Sequence, residues 1–337
     1  MSDQRPEPTG PILLLVLLVL VALVAVAWGA GYRSGADAPS ADPRERGGAH
    51  VPAAPVESSA SAAPPATPAT APEPKRATLP HGGTRVFAGN RFLVAYYGTA
   101  GSGALGVLGE TRPAGAEAAV RRAALPFRRP GQPVQPVYEL IVTIADRHPG
   151  RDGDHSHDIA RRDVRRYLDV AREDGALVVL DLQPGTSDFL EVAKRWEWAL
   201  RQPHVGLALD PEWRMSPGQV PGRVIGHASA AEVNRTSAWL AALVRRHLLP
   251  EKLFVLHQFR TSMLPDLHRV QRRPGLALVQ HVDGFGTRGQ KMETYETVAR
   301  PGRFTMGLKL FYDEDVRRMG PGAVHAVRPR VRFVSFQ

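Results

Sequence analysis

The chain has no cysteine, so it forms no disulfide, builds no thiolate metal site and carries no lipid on a cysteine. Lysine is scarce: arginine supplies most of the 43 basic residues, which stand against 33 acidic ones for a formal net charge of +10. Along the sequence these arginines are scattered over the folded part rather than gathered in one block. No nucleic-acid motif accompanies them, so nucleic acid is not an expected partner. A general preference for arginine accounts for the surplus, and attraction to an acidic polymer such as the polyanions of a bacterial cell wall is the functional alternative. Large apolar side chains are nearly missing between Ser34 and Gly83, where Ala, Pro, Ser and Thr dominate, as in APVESSASAAPPATPATAPEPK. Such a segment cannot bury a core and is expected to be a disordered tether.

Charge is missing from one long stretch. Pro11 to Gly31 reads PILLLVLLVLVALVAVAWGAG, with no charged residue until Arg33, and that length crosses a bilayer as a helix. The residues ahead of it include Asp3, Arg5 and Glu7, a weak lead for a signal peptide, although Ala25-Val26-Ala27 would serve as a cleavage site. An uncleaved anchor and a cleaved signal both stay open. Counting basic residues at the two ends, Arg5 against Arg33, Arg44 and Arg46, favours an inward carboxyl end. The tether outweighs that count, because a segment of this kind directly after an apolar run lets an exported domain stand off the membrane. The expected organisation is a tail at 1–10, a membrane anchor or signal segment at 11–31, a linker at 32–83 and a folded domain at 84–337. That domain is expected to be extracytoplasmic and monomeric, membrane-anchored through the N-terminal segment or secreted if the segment is cleaved.

Beyond Gly83, strand-like runs alternate with amphipathic stretches. The strands are expected at FLVAYYG from Phe92, VYELIVTIA from Val137, ALVVLDL from Ala176, VGLALD from Val205, KLFVLHQF from Lys252, LALVQHVDGF from Leu276, FTMGLKLFY from Phe304 and VRFVSF from Val331. Helices are expected at Ala114 to Ala124, Asp158 to Glu173, Asp188 to Arg201, Ala230 to Leu248, Met263 to Arg272, Met292 to Ala299 and shortly after Asp313, with Ser187 and Ser229 as caps. Strand alternating with helix means parallel strands and crossover helices. Eight strands in about 250 residues fit a (β/α)8 TIM barrel that opens and closes on a strand; a doubly wound open sheet is the second choice. Polar residues gather where these strands end: Tyr97, then Asp146, Asp181 with Gln183, Asp210 with Glu212, His257 with Gln258, His281 with Asp283, and Lys309 with Tyr312 and Asp313. A barrel keeps its chemistry at that end.

The run His204 to Trp213, HVGLALDPEW, breaks from apolar residues into two carboxylates two positions apart. Strand side chains alternate, so Leu207 and Leu209 should face helices while Ala208, Asp210 and Glu212 face the other way. Two acids held close have their protonation pushed apart, so that one stays charged while the other keeps a proton to donate. Glycosidic bond cleavage uses such a pair. With an Asp-x-Glu pair at the end of the fourth strand and Tyr96-Tyr97-Gly98 at the end of the first, the chain resembles the chitinase-like family 18 glycoside hydrolases and, more loosely, the family 25 lysozymes. Ala208 and Val205 stand where chitinase-like strands carry further aspartates. The resemblance implies Glu212 as general acid, Asp210 as the partner that orients it or steadies a positively charged intermediate, and Tyr97 or Tyr312 as a positioning hydroxyl.

Two other patterns carry weaker chemistry. RHPGRDGDHSHD, Arg147 to Asp158, offers His148, Asp152, Asp154, His155, His157 and Asp158 as mixed oxygen and nitrogen donors, but its spacing matches no metal loop; glycine turns and a helix cap at Asp158 are the ordinary reading. GTAGSGALGVLGE from Gly98 lacks the Gly-Lys-Ser/Thr ending of a phosphate loop and reads as a rim loop. Trp213, next to the acid pair, has two readings, a platform for a sugar ring or simple packing. The expected function is therefore glycoside hydrolysis of a cell-wall or surface polysaccharide, with Glu212 and Asp210 catalytic. Tyr97, Asp181, Gln183, Trp213, His257, Gln258, Asp283, Lys309 and Tyr312 are expected at the substrate, with no metal and no cofactor. A non-catalytic glycan-binding barrel and a metal-dependent hydrolase built on the 147–158 loop are the alternatives.

Overall fold

The computed structural model describes residues 76–337. The tail, the apolar run at 11–31 and the linker as far as residue 75 lie outside the described residues. Among the described residues no helix is long and apolar enough to cross a membrane. Nine strands form: β1 (Phe92–Thr99), β2 (Val134–Ala145), β3 (Ser156–Asp158), β4 (Leu177–Leu182), β5 (Val205–Leu209), β6 (Lys252–Gln258), β7 (Leu276–Val282), β8 (Thr305–Leu310) and β9 (Val331–Phe336). Eight of them run parallel in the order β1-β9-β8-β7-β6-β5-β4-β2, and β1 pairs back onto β2, so the sheet closes into a barrel. The short β3 is the exception, an antiparallel strip on the far end of β2.

Alternation along each strand sorts the core into two layers. On β1, Phe92 and Val94 pack outward with the helices, while Leu93 and Ala95 pack inward. On β5, Leu207 and Leu209 join the outer layer and Ala208 the inner one, the parity expected for the acid pair. The inner apolar layer fills only the amino end of the barrel, with Val137, Val179, Val255, Val279 and Phe333, and is closed from below by Leu79, Val86 and Phe87. The barrel thus recruits residues ahead of 84 as a plug, because its lower core would otherwise lie open to water.

The outer layer holds α1 (Pro113–Ala124), α2 (Arg161–Asp174), α3 (Phe189–Arg195), α4 (Glu197–Leu200), α5 (Ala230–Arg246), α6 (Arg288–Val298) and α7 (Pro321–Ala326). Ser229 caps α5 as expected, accepting from the Glu232 amide at 3.2 Å. Elsewhere the expected ends shift. Asp188, not Ser187, caps α3, and the expected long helix breaks at Trp196, whose buried indole donates to Thr143 Oγ at 3.0 Å. Asp158 caps nothing; it lies on β3 and accepts from Thr143 Oγ at 2.7 Å. No α-helix forms over Met263 to Arg272, where two 3-10 turns stand instead. Pro265 explains this, since it disfavours helical backbone at Leu264, which sits at φ −138°, ψ 72°.

Candidate functional site

Above the apolar layer the barrel interior turns polar, because the inward positions nearest each strand's carboxyl end carry ionisable residues. Asp283 is the hub. Its Oδ1 accepts from His281 Nδ1 at 2.6 Å, and its Oδ2 accepts from His257 Nδ1 at 2.6 Å and meets Lys309 Nζ at 3.2 Å. His281 Nε2 accepts from Ser335 Oγ at 3.2 Å, and its ring lies close over Gly307, where a Cβ would come within 2.5 Å of it. On the other side, His257 Nε2 sits 3.3 Å from Glu139 Oε1 and 3.7 Å from Asp181 Oδ1. Neither contact is aligned as a hydrogen bond, so His257 meets those two carboxylates by charge. Asp181 Oδ2 accepts from Tyr97 hydroxyl at 2.8 Å, and Lys309 Nζ stands 3.7 Å over the Tyr97 ring. Gln183 accepts from the Ala145 amide and turns its own amide to the Tyr97 hydroxyl at 3.4 Å.

These partners divide the charges. Burial alone would raise Asp283, but His257, Lys309 and His281 hold it well below the usual carboxylate range. Burial likewise disfavours the His257 cation, and Asp283 and Glu139 overcome it, holding the ring as an imidazolium. His281, with burial dominant, is held neutral. Three carboxyls are raised: Asp181 to about 6, by burial and against the pull of His257, with Glu139 adding to the rise; Asp210 to about 7, by burial and then by Asp181; and Glu212 to about 8, by burial and by Asp210. Asp181 is fully buried and Asp210 is 3 % exposed, whereas Glu212 is only partly buried. The most readily protonated acid is therefore the one nearest solvent.

The acid pair is fixed locally. Asp210 ends the strand and caps the 3-10 turn Pro211–Trp213, its Oδ1 accepting from the Glu212 amide at 3.3 Å. The Glu212 carbonyl accepts from the Gly226 amide at 2.6 Å, and Arg214, which follows the turn, donates its Nε to Glu232 Oε1 at 2.8 Å. Gly226 lies against three carbonyls of the turn, which leaves no room for a side chain there.

Of the residues expected at the site, Tyr97, Asp181, Gln183, Asp210, Glu212, His257, Asp283 and Lys309 share this basin, and Trp213, partly exposed, ends the 3-10 turn that carries Glu212. Two do not belong. Gln258 turns into the outer layer, where it accepts from Gln280 at 2.7 Å; with His257 facing in, its neighbour has to face out. Tyr312 stacks outside the barrel with Tyr96 and Phe336, under Arg318 at 4.0 Å. Glu139 and Ser335 were not expected in the site, and His281 was expected at the polar strand ends but not at the substrate. Glu139 had a signal, a lone acid inside the apolar strand VYELIVTIA at an inward position.

The 147–158 loop is organised by hydrogen bonds. Buried Asp154 accepts from the Ser156 amide and hydroxyl and from Ser187 Oγ at 2.8 Å. Among the described residues, the one His/carboxylate group near enough to share an ion is His257, His281 and Asp283, and its 2.6 Å contacts are hydrogen bonds. The glycine-rich segment after β1 folds into two 3-10 turns held against the strand, with Gly98 and Gly106 backbones in contact. The chain matches no family model and no curated protein.

Proposed function

We propose that the basin hydrolyses glycosidic bonds of a cell-wall or surface polysaccharide, with Glu212 as the proton donor. The observation that supports this most is the graded exposure of three neighbouring acids, Asp181 fully buried, Asp210 3 % exposed and Glu212 partly exposed, each with its carboxyl raised by burial and by neighbouring charge. A carboxyl raised to about 8 is still protonated at neutral pH and can pass its proton to the glycosidic oxygen as the C–O bond breaks. Asp210, raised to about 7, is ionised in part at neutral pH, and its carboxylate steadies the oxocarbenium-like sugar. Water adds to the anomeric carbon and its second proton returns to Glu212. Trp213 offers the sugar a stacking face. The tether and the apolar run ahead of it support an exported, membrane-anchored domain acting outside the cytoplasm.

Glu212→Gln keeps the shape and removes the donor. It should abolish release of reducing ends from peptidoglycan or chitin oligomers while the melting temperature does not fall; unchanged turnover discards the role.

A further inference from the structure

The surplus positive charge, scattered along the sequence, collects at one end of the barrel. The connections leading into the strands, residues 76–91, 125–133, 173–176, 201–204, 245–251, 270–275, 299–304 and 327–330, carry fourteen arginines against Glu173, Asp174 and Glu251. The connections leaving the strands carry nine arginines against thirteen acidic residues over 100–112, 146–160, 183–188, 210–229, 259–269, 283–287 and 311–320. An arginine-rich composition alone would spread the charge evenly over both ends. Arg85, Arg129, Arg246, Arg272, Arg303 and Arg330 are all exposed, and among the described residues Arg201 is the one member of this set ion-paired to a carboxylate, Glu197. The charge is therefore uncompensated and faces solvent.

The chain reaches the barrel at this same end. Arg76 donates to the Leu249 carbonyl at 2.9 Å and the Ala77 amide to the Leu248 carbonyl at 2.9 Å. Ahead of it lie the linker and the apolar run 11–31. A chain of that Ala/Pro/Ser-rich composition and of about 45 residues would span roughly 40 Å as a free coil, enough reach for the barrel to settle on a bilayer. Screening limits attraction to about 8 Å at physiological salt, so the charged end acts only when it touches.

We propose that the amino-terminal end of the barrel docks on an anionic phospholipid surface, arginines against headgroups, holding the carboxylate mouth away from the membrane. This takes from the proposed function only the anchoring, not the chemistry. A bilayer is favoured over a free polyanion because the charge covers a whole end of the molecule, the end at which the membrane-directed segment arrives, rather than lining a groove.

The test uses the full chain in nanodiscs of phosphatidylcholine alone or mixed with phosphatidylglycerol, read by hydrogen exchange. Segments 125–133, 245–251 and 299–304 should be protected on the anionic discs only, with protection lost at high salt, and the 210–229 loop should not change. Each arginine at a surface is worth about fivefold in docking, so Arg129→Gln, Arg246→Gln and Arg330→Gln combined should lower the docked ratio on the order of a hundredfold. Those three side chains hold no carboxylate, so the fold should keep its melting temperature. If the chain does not insert, the anchoring fails, and cosedimentation with vesicles of the same two compositions reads the docking by itself. Equal exchange on both lipids, or protection by soluble polyphosphate with none on anionic discs, overturns the proposal.

Discussion

Replacing Asp210 by asparagine should stabilise the barrel, and by more as the pH rises. Asp210 is buried, and its carboxyl is raised from 3.8 to about 7, first by burial and then by Asp181. A folded-state value above the unfolded one means that the stabilisation is complete below about pH 4 and is lost as the pH climbs through about 7. At about 1.4 kcal/mol for each pH unit between the two values, the loss approaches about 4 kcal/mol. Asp181 and Glu212 titrate in the same basin, so part of that cost is shared, and about 2 kcal/mol is the smallest effect expected. Asparagine keeps the carbonyl oxygen that accepts from the Glu212 amide and does not ionise. In thermal melts of the two proteins from pH 4 to 8.5, the variant's advantage should therefore widen up to about pH 7 and then level off, by roughly 4 to 16 °C for a domain of this size. Curves that stay parallel across the range would show that Asp210 ionises as in water, and the protonated basin would have to be abandoned.

The same electrostatics set the pH dependence of the proposed reaction: the rate should fall as pH rises through about 8, where Glu212 loses its proton, and a flat profile to pH 9.5 on a soluble oligosaccharide would remove that residue as donor. Gly307→Ala should cost about 1 to 3 kcal/mol in urea unfolding, because the new methyl meets a His281 ring pinned by Asp283 and Ser335; Gly302→Ala, with open space around it, is the control. Lys291→Met should cost about 3 to 5 kcal/mol, since buried Lys291 bonds the carbonyls of Gly284 and Lys309 and pairs with buried Asp315 at 3.0 Å. Adding Asp315→Asn should recover part of that loss in the same denaturation assay, and no recovery would show that the ion pair is not the source.

Much of the architecture was legible in the chain. All eight barrel strands fall where apolar runs with period-two alternation stand, and polar residues at their carboxyl ends converge, because strand parity is a local property. The misplaced helix over Met263 to Arg272 had a local warning in Pro265 that apolar spacing overrode. Gln258 was excluded by its neighbour: two consecutive strand residues cannot both face the lumen. Tyr312 had no such signal, since it lies past the end of β8 and its direction depends on Tyr96, Phe336 and Arg318. The loop at 147–158 looked like a ligand set by composition, yet Asp154 spends its oxygens on serines and a backbone amide.

By itself the sequence determined where strands form, which side chains share a face, and that carboxylates mark the ends of strands, all of which follow from contacts between near neighbours in the chain. Only the closed barrel decided that Glu139 and Asp181 would meet the His257 ring on one side while Asp283 held it on the other. It likewise left fourteen arginines against three acids at one end and nine against thirteen at the other. The reason is geometric: register between strands fixes which residues lie at the same height across the lumen, and parallel closure sends every connection of one kind to the same end.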